Sequence, residues 1–216
     1  GCRPVAVPMT PTGGLDLSKI SADDAKRALM IWMNSPSNPT GALDDMEAVV
    51  NWGRANDVPV FSDECYVEFT WQGKPTTALQ YGTEGVIALH SLSKRSNLAG
   101  LRVAFYAGDA DIVHYLKEVR KHAGLMVPGP AQAAGVVALN DVEGVKAQAQ
   151  VYRRRLERTA QVLSKWSGRT IDLPAGGFYL WFDATDGWEF AERLATEGGA
   201  LVSPGDFYGA GGSNNV

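Results

Sequence analysis

The sequence predicts an α/β fold: a mostly parallel sheet in a large unit, followed by part of a smaller α/β unit. Three observations carry this expectation. Apolar runs at 28–33, 59–62 and 86–89 alternate with helical or irregular stretches, as in successive βα units joined by right-handed crossovers. The first of these runs is unbroken rather than alternating, the pattern of a strand covered on both faces of a parallel sheet. Beyond a long charged segment, from Arg169 onward, the pattern changes to short alternating stretches around glycine-rich turns. The expected organisation is a large unit over 1–140, a connecting helix over 141–168 and a smaller unit over 169–216.

Taken in order, residues 2–7 form a short strand candidate, and a Pro/Thr/Gly loop follows over 8–14. Ser21 suits a helix N-cap, with Asp23 and Asp24 in the first turn where carboxylates oppose the helix dipole; that helix ends near Arg27. The strand at 28–33 runs into Asn34-Ser35-Pro36-Ser37-Asn38-Pro39-Thr40-Gly41, whose prolines and glycine forbid helix and strand alike. An amphipathic helix spans about 43–56. The strand at 59–62 then ends on Asp63-Glu64-Cys65-Tyr66. Two further apolar runs, 86–89 and 103–107, read as buried strands flanking a hydroxyl-rich loop that carries Lys94 and ends at Arg102.

Asp109 can cap a helix running to about His122 and stopped by Gly124. Pro128-Gly129-Pro130 opens an alanine-rich helix to about Leu139, and 141–166 reads as one long charged helix. In the last part, 170–173 and 178–182 are expected strands around the turn Pro174-Ala175-Gly176-Gly177. A helix over 188–197, a strand over 200–202 and a turn over 203–205 complete it.

Parallel strands joined this way place their carboxyl ends on one edge of the sheet, where open α/β sheets bind ligands. Asn38, Asp63 with Tyr66, and Ser91 with Lys94 each lie just past such an end, so the topology brings them together. Lys94 is unusual at the exit of a core strand, because burying an ammonium costs several kcal/mol unless it is paired or loses its charge. A Schiff base repays that position, since desolvation makes the amine nucleophilic toward an aldehyde. Ser91, Ser93 and Arg102 supply two hydroxyls and a guanidinium fork suited to a phosphate. A lysine beside a phosphate cradle suggests pyridoxal phosphate.

That cofactor needs an aldehyde partner, a phosphate site, a counter-charge for its pyridine nitrogen and a donor to its phenolic oxygen. Lys94 is the candidate for the first, Asp63 for the ring nitrogen, and Tyr66 and Asn38 for the phenolic oxygen. Taken singly, each has a plainer reading: Lys94 as a loop lysine, Asp63 as a helix cap, Asn38 as an Asx-turn residue before Pro39, Tyr66 as core. Cys65 beside them reads as a buried, inert thiol. His90, His114 and His122 are dispersed and read as core or helix-end residues, so no metal site or catalytic triad is expected.

Composition narrows the remaining classes. The 216 residues carry a formal net charge of −4, which argues against a nucleic-acid or anionic-membrane surface. The one basic run, Arg153 to Arg158, contains Glu157 and reads as a solvated helix face. No apolar run reaches the roughly 18 residues of a membrane span, and the two cysteines fit neither a metal motif nor a disulfide framework. A reduced, cytoplasmic protein is the expectation.

Asn34 to Gly41, Ser62-Asp63-Glu64-Cys65-Tyr66, Ser91-Leu92-Ser93-Lys94 and Arg102 together resemble, in order and spacing, the cofactor motifs of the fold-type-I, class I/II pyridoxal-phosphate aminotransferases. The resemblance implies cofactor-binding roles for Asn38, Asp63, Tyr66, Ser91, Ser93, Lys94 and Arg102, with Lys94, Asp63 and Tyr66 catalytic. It also implies amino-acid and 2-oxo-acid substrates and a homodimer. Three further stretches, from Arg120 to Pro128, Ala175 to Trp181 and Ser203 to Gly209, are similar to the succinyldiaminopimelate aminotransferases. This implies transamination between N-succinyl-LL-2,6-diaminopimelate and 2-oxoglutarate in lysine biosynthesis. The family's N-terminal phosphate loop, its ring-stacking aromatic and its substrate-carboxylate arginine have no counterpart, so an internal fragment truncated at both ends is expected. The rival readings are another aminotransferase of the same fold, a carbon–sulfur β-lyase, and an aminotransferase-like sensor domain of a transcriptional regulator.

Overall fold

The computed structural model describes residues 1–216, apart from the side chain of Ala210. Four strands, β1 (Ile31–Asn34), β2 (Val60–Asp63), β3 (Val86–Ser91) and β4 (Ala104–Gly108), form one sheet in chain order. The first three are parallel and β4 is antiparallel to β3. The expected α/β class and mostly parallel sheet are therefore what the structure has.

The parallel register follows from the connections. Helix α1 (Ala22–Arg27) precedes β1, with Ser21 as its N-cap accepting from the Asp24 N–H. Helix α2 (Met46–Ala55) links β1 to β2 and buries Met46, Val49, Val50 and Gly53. At Gly53 a Cβ would meet Val60 Cγ2 at 2.5 Å, so glycine lets the helix lie directly on β2. Met33, Val60, Val86 and Ala78 complete that core.

The sheet is covered less evenly than the unbroken apolar runs imply. In β1, Ile31 and Met33 are buried while Trp32 between them is 52 % exposed, because α2 covers one face only. Trp32 stacks on Phe61 across the other face at 5.9 Å. The run at 103–107, expected to be buried, is an edge strand in which Ala104 and Phe105 are exposed. Residues 2–7 are not a strand; they border a groove against residues 28–32 without joining the ladder.

Between β3 and β4 the hydroxyl-rich loop forms the short helix α3 (Leu92–Arg95) and a 3-10 turn over Ala99–Leu101. Helices α4 (Ala110–His122), α5 (Gly129–Asn140) and α6 (Val142–Ser167) follow, near the bounds the caps predict. Asp109 accepts from the Asp111 and Ile112 N–H groups to start α4, and Gly168 in the left-handed region ends α6.

The last part departs most from expectation. Helix α7 (Gly187–Gly198) forms, but none of the three strands at 170–173, 178–182 and 200–202 does. A strand persists only against a partner along its length. Here Phe182 and Val216 exchange two backbone hydrogen bonds, Asp183 bridges Asn215 and the Ala184 N–H donates to the Asn214 carbonyl at 2.7 Å, a pairing too short to make a strand. Packing holds the segment instead: Ala184, Phe190, Leu194 and Val216 cluster against Leu163 and Trp166 of α6.

Phe69 joins the two halves of the chain. Its ring is fully buried and meets Trp71, Tyr152 of α6 and Phe178 at centroid distances of 6.1, 5.3 and 5.5 Å. Truncating such a ring removes its transfer energy and leaves a cavity between three elements. Phe69→Ala is expected to lower the urea-unfolding free energy by about 3–5 kcal/mol. A loss under about 1 kcal/mol would show that the aromatic cluster is not holding the halves together.

Candidate active site

Asn34, Asp63 and Leu89 lie side by side in the register of the parallel strands, so the segments leaving β1, β2 and β3 start from one edge. The Asp63 carbonyl accepts from the Ser35 N–H at 3.1 Å and from Asn34 Nδ2 at 3.0 Å. These two bonds tie the proline-rich loop to the end of β2. The Asp63 carboxylate turns back on its own chain, with Oδ1 accepting the Cys65 N–H at 3.1 Å, the Asx-turn geometry expected of a short acidic side chain at a strand end.

Tyr66 stands three residues on and is 6 % exposed. Its hydroxyl lies 2.8 Å from the Tyr179 hydroxyl, and its ring meets those of Phe178 and Tyr179 edge-on. Burial, then the hydrogen bond with Tyr179, pushes the phenol well above the ordinary tyrosine range, so it stays protonated. Lys94, in α3, brings its Nζ to 6.0 Å from the Tyr66 ring centroid and 5.8 Å from that of Phe178. The amine is therefore walled by two aromatic rings.

Cys65 feels both the acid and the amine. Burial, followed by the hydrogen bond and negative charge of Asp63, pushes its thiol up to about 12, while the positive charge of Lys94 pulls the other way. Both groups thus lie within electrostatic reach of one sulfur. A thiol in that state is almost wholly protonated at neutral pH and inert as a nucleophile.

The remaining candidates form the rim. Ser91 caps α3, its Oγ accepting the Ser93 N–H at 3.1 Å, and both serines are half-buried. Arg102 is exposed in the left-handed region with φ 55°, and its guanidinium donates to the Ala99 carbonyl at 2.9 Å within its own loop. Asn38 is exposed, and its backbone N–H donates to Asn34 Oδ1 at 2.7 Å. The structure brings Asp63, Tyr66 and Lys94 together. It gives the side chains of Asn38 and Arg102 no hydrogen bond to them.

Reasoning from motifs overlooked Tyr179 and Phe178, although an aromatic pair directly after Gly176-Gly177 was a usable signal. It also overlooked Glu64, which is fully buried, with Oε1 accepting the Ala78 N–H at 2.8 Å and Oε2 3.2 Å from His90 Nε2. His90 in turn stacks on Phe105 at 5.2 Å. Adjacent to Asp63 and Ser91 respectively, Glu64 and His90 brace the ends of β2 and β3.

This donor set fits pyridoxal phosphate. A lysine amine faces aromatic walls, a carboxylate ends the neighbouring strand, a protonated phenol belongs to one of those walls, and two hydroxyls sit at the start of the lysine's own helix. Among the described residues no group of three His, Cys, Asp or Glu side chains could hold a metal ion, and no helix is long and apolar enough to cross a membrane.

The sequence model of the class I and II aminotransferases matches residues 1–215. A probable aminotransferase of Mycobacterium tuberculosis is 41% identical over 195 residues, covering 87% of this chain and 46% of that protein. The LL-diaminopimelate aminotransferase of Aquifex aeolicus is 36% identical over 221 residues, covering 97% of this chain and 57% of its own. The solved structure of a probable N-succinyldiaminopimelate aminotransferase from Thermus thermophilus superposes with a TM-score of 0.85 at 30% identity, covering 99% of this chain and 60% of that one. The chain thus spans about half the length of the curated relatives it matches.

The environment of Cys65 makes a direct prediction. At pH 8, iodoacetamide should label the exposed Cys2 and leave Cys65 unmodified in the folded protein, with both labelled in urea. Equal labelling rates under native conditions would mean that Cys65 is neither buried nor held protonated.

Proposed function

Because the chain belongs to the class I and II aminotransferases, a fold-type-I family whose members use pyridoxal phosphate, we propose that the protein carrying it is a pyridoxal-phosphate-dependent transaminase. The observation that carries the proposal is the cluster of Asp63, Tyr66 and Lys94 at one sheet edge, with the amine walled by rings. Bound there, the cofactor supplies an electron sink for the charge that develops when the substrate's α-proton leaves.

The chain's own residues do the rest. Lys94 Nζ would hold the cofactor's aldehyde and would be the group that takes and returns the substrate's α-proton. Asp63 keeps a proton on the ring nitrogen through a charge-assisted hydrogen bond, so the ring retains its pull on electrons. Tyr66, protonated by its surroundings, donates to the phenolic oxygen, and Asn38 is the second donor there. Ser91, Ser93 and Arg102 hold the phosphate. For Arg102 this requires its guanidinium to turn from the Ala99 carbonyl toward the serines.

The substrates are an amino acid and a 2-oxo acid in a ping-pong exchange with glutamate and 2-oxoglutarate. The specific partner in this reading is N-succinyl-LL-2,6-diaminopimelate, of the lysine and diaminopimelate route. Its support is the diaminopimelate skeleton shared by the names of the Aquifex relative and the Thermus structure. The reading includes a cytoplasmic homodimer and a division into cofactor unit 1–140, connecting helix 141–168 and smaller unit 169–216.

The test is the half-reaction in the whole protein. With cofactor bound, glutamate alone should convert the visible absorption band to the pyridoxamine form, and N-succinyl-diaminopimelate should do so at a lower concentration than aspartate or alanine. Asp63→Ala should slow the conversion by about a thousandfold or more with unchanged circular dichroism. A band that glutamate leaves unchanged, while cystathionine releases pyruvate and ammonia, would move the protein to the β-lyases.

A further inference from the structure

We propose that Tyr179 is a positioning residue of the ring site: it donates a hydrogen bond to the Tyr66 oxygen and so aims the single Tyr66 O–H at the cofactor's phenolic oxygen. The inference rests on the cofactor reading above. It concerns a residue outside the four motifs, more than a hundred positions from Tyr66 in the chain.

The contact is built rather than incidental. Two hydroxyls meet at 2.8 Å in a half-buried setting, and the turn that carries Tyr179 is stitched to the chain around Tyr66. Gly177 N–H donates to the Phe69 carbonyl at 2.9 Å, while the Trp71 and Gln72 N–H groups both donate to the Ala175 carbonyl, at 2.8 and 3.0 Å. Trp71 Nε1 donates to the Gly177 carbonyl at 2.7 Å, and Gly176 N–H reaches the Gly41 carbonyl at 2.8 Å. The approach is too close for larger residues. At Gly41, with φ 69°, a Cβ would run into the Gly176 carbonyl and Pro174; at Gly176 it would lie 2.6 Å from the Pro36 ring. Residues 36–41, 69–72 and 174–177 thus hold one another, and Tyr179 is delivered against Tyr66.

A phenol has one proton to give and two lone pairs to receive with. If Tyr66 gives its proton to Tyr179, it has none left for a ligand. If Tyr179 is the donor, Tyr66 is pre-aimed, and its O–H is made a better donor by the bond its oxygen receives. Only the second arrangement leaves Tyr66 a proton to give a ligand at the ring site. Asp63 and Cys65 are the other ionisable groups that act on Tyr66.

The experiment uses the whole protein loaded with pyridoxal phosphate and reads the pH midpoint of the visible absorption band, together with cofactor affinity, for wild type, Tyr179→Phe, Tyr66→Phe and the double variant. A donor to the phenolic oxygen favours the unprotonated imine nitrogen, so losing it raises the midpoint. Tyr179→Phe should raise the midpoint by about half a unit or more, in the same direction as Tyr66→Phe. The double variant should rise no further than Tyr66→Phe alone, the signature of two residues acting through one bond. Cofactor affinity should change by less than about threefold in Tyr179→Phe. A midpoint unmoved or lowered by Tyr179→Phe, or an effect that adds in full to that of Tyr66→Phe, overturns the inference and leaves the cofactor reading standing. Failure of the wild type to form any visible band overturns both. If Tyr179→Phe does not fold, Tyr179→Leu, an apolar side chain with no donor, takes its place in the cycle.

Discussion

The alignment of three parallel strand ends is the constraint on which the site depends. Asn34, Asp63 and Leu89 share one register, and the segments beyond them carry every candidate group except Arg102 and the aromatic pair at 178–179. Backbone pairing alone sets this geometry, and it is firm because a slip of one residue would turn each strand's buried side chains outward. The register is reinforced where it matters: the Asp63 carbonyl receives two donors from the 34–35 corner, and Glu64 N–H donates to the Leu89 carbonyl at 2.9 Å. The buried Glu64 carboxylate accepts from the Ala78 N–H and lies 3.2 Å from His90 Nε2 at the ends of the same two strands.

A second constraint closes the site from the other side. The turn at 174–177 packs on the proline-rich loop and on residues 69–72 through backbone bonds that only glycine at 41 and 176 permits. The aromatic rings of Phe69, Tyr152 and Phe178 fill the space beneath. The result is a wall for Lys94 made of Tyr66 and Phe178, which limits how water can solvate the amine. Cofactor-lysine chemistry asks for such a setting, because a free ammonium in bulk water is a poor nucleophile at neutral pH.

Much of this was legible in the sequence, and what was not has a physical reason. Strands β1 to β3 announced themselves as apolar runs followed by turn residues, and Ser21 and Asp109 marked helix starts because a capping side chain leaves a local signature. The convergence of Asp63, Tyr66 and Lys94 followed from topology. The strands at 170–182 and 200–202 did not form, because alternation records a preference for a half-buried ladder and not the presence of a partner. Trp32 and Phe105 were misplaced for a related reason: an apolar run cannot say whether it lies at the centre or the edge of a sheet. The aromatic pair after Gly176-Gly177 flags Tyr179 as notable, but its partner could not be read from the sequence because the contact with Tyr66 depends on the tertiary docking of a distant turn.

The central claim is that Lys94, placed by the end of β3 and walled by Tyr66 and Phe178, is the group that binds the cofactor's aldehyde. The direct measurement is borohydride reduction of the whole protein after incubation with pyridoxal phosphate, followed by peptide mass mapping. The account predicts one stable adduct, on the peptide containing Lys94, and its loss in Lys94→Arg. An adduct spread over surface lysines such as Lys74 and Lys117, or one that survives Lys94→Arg, would contradict it.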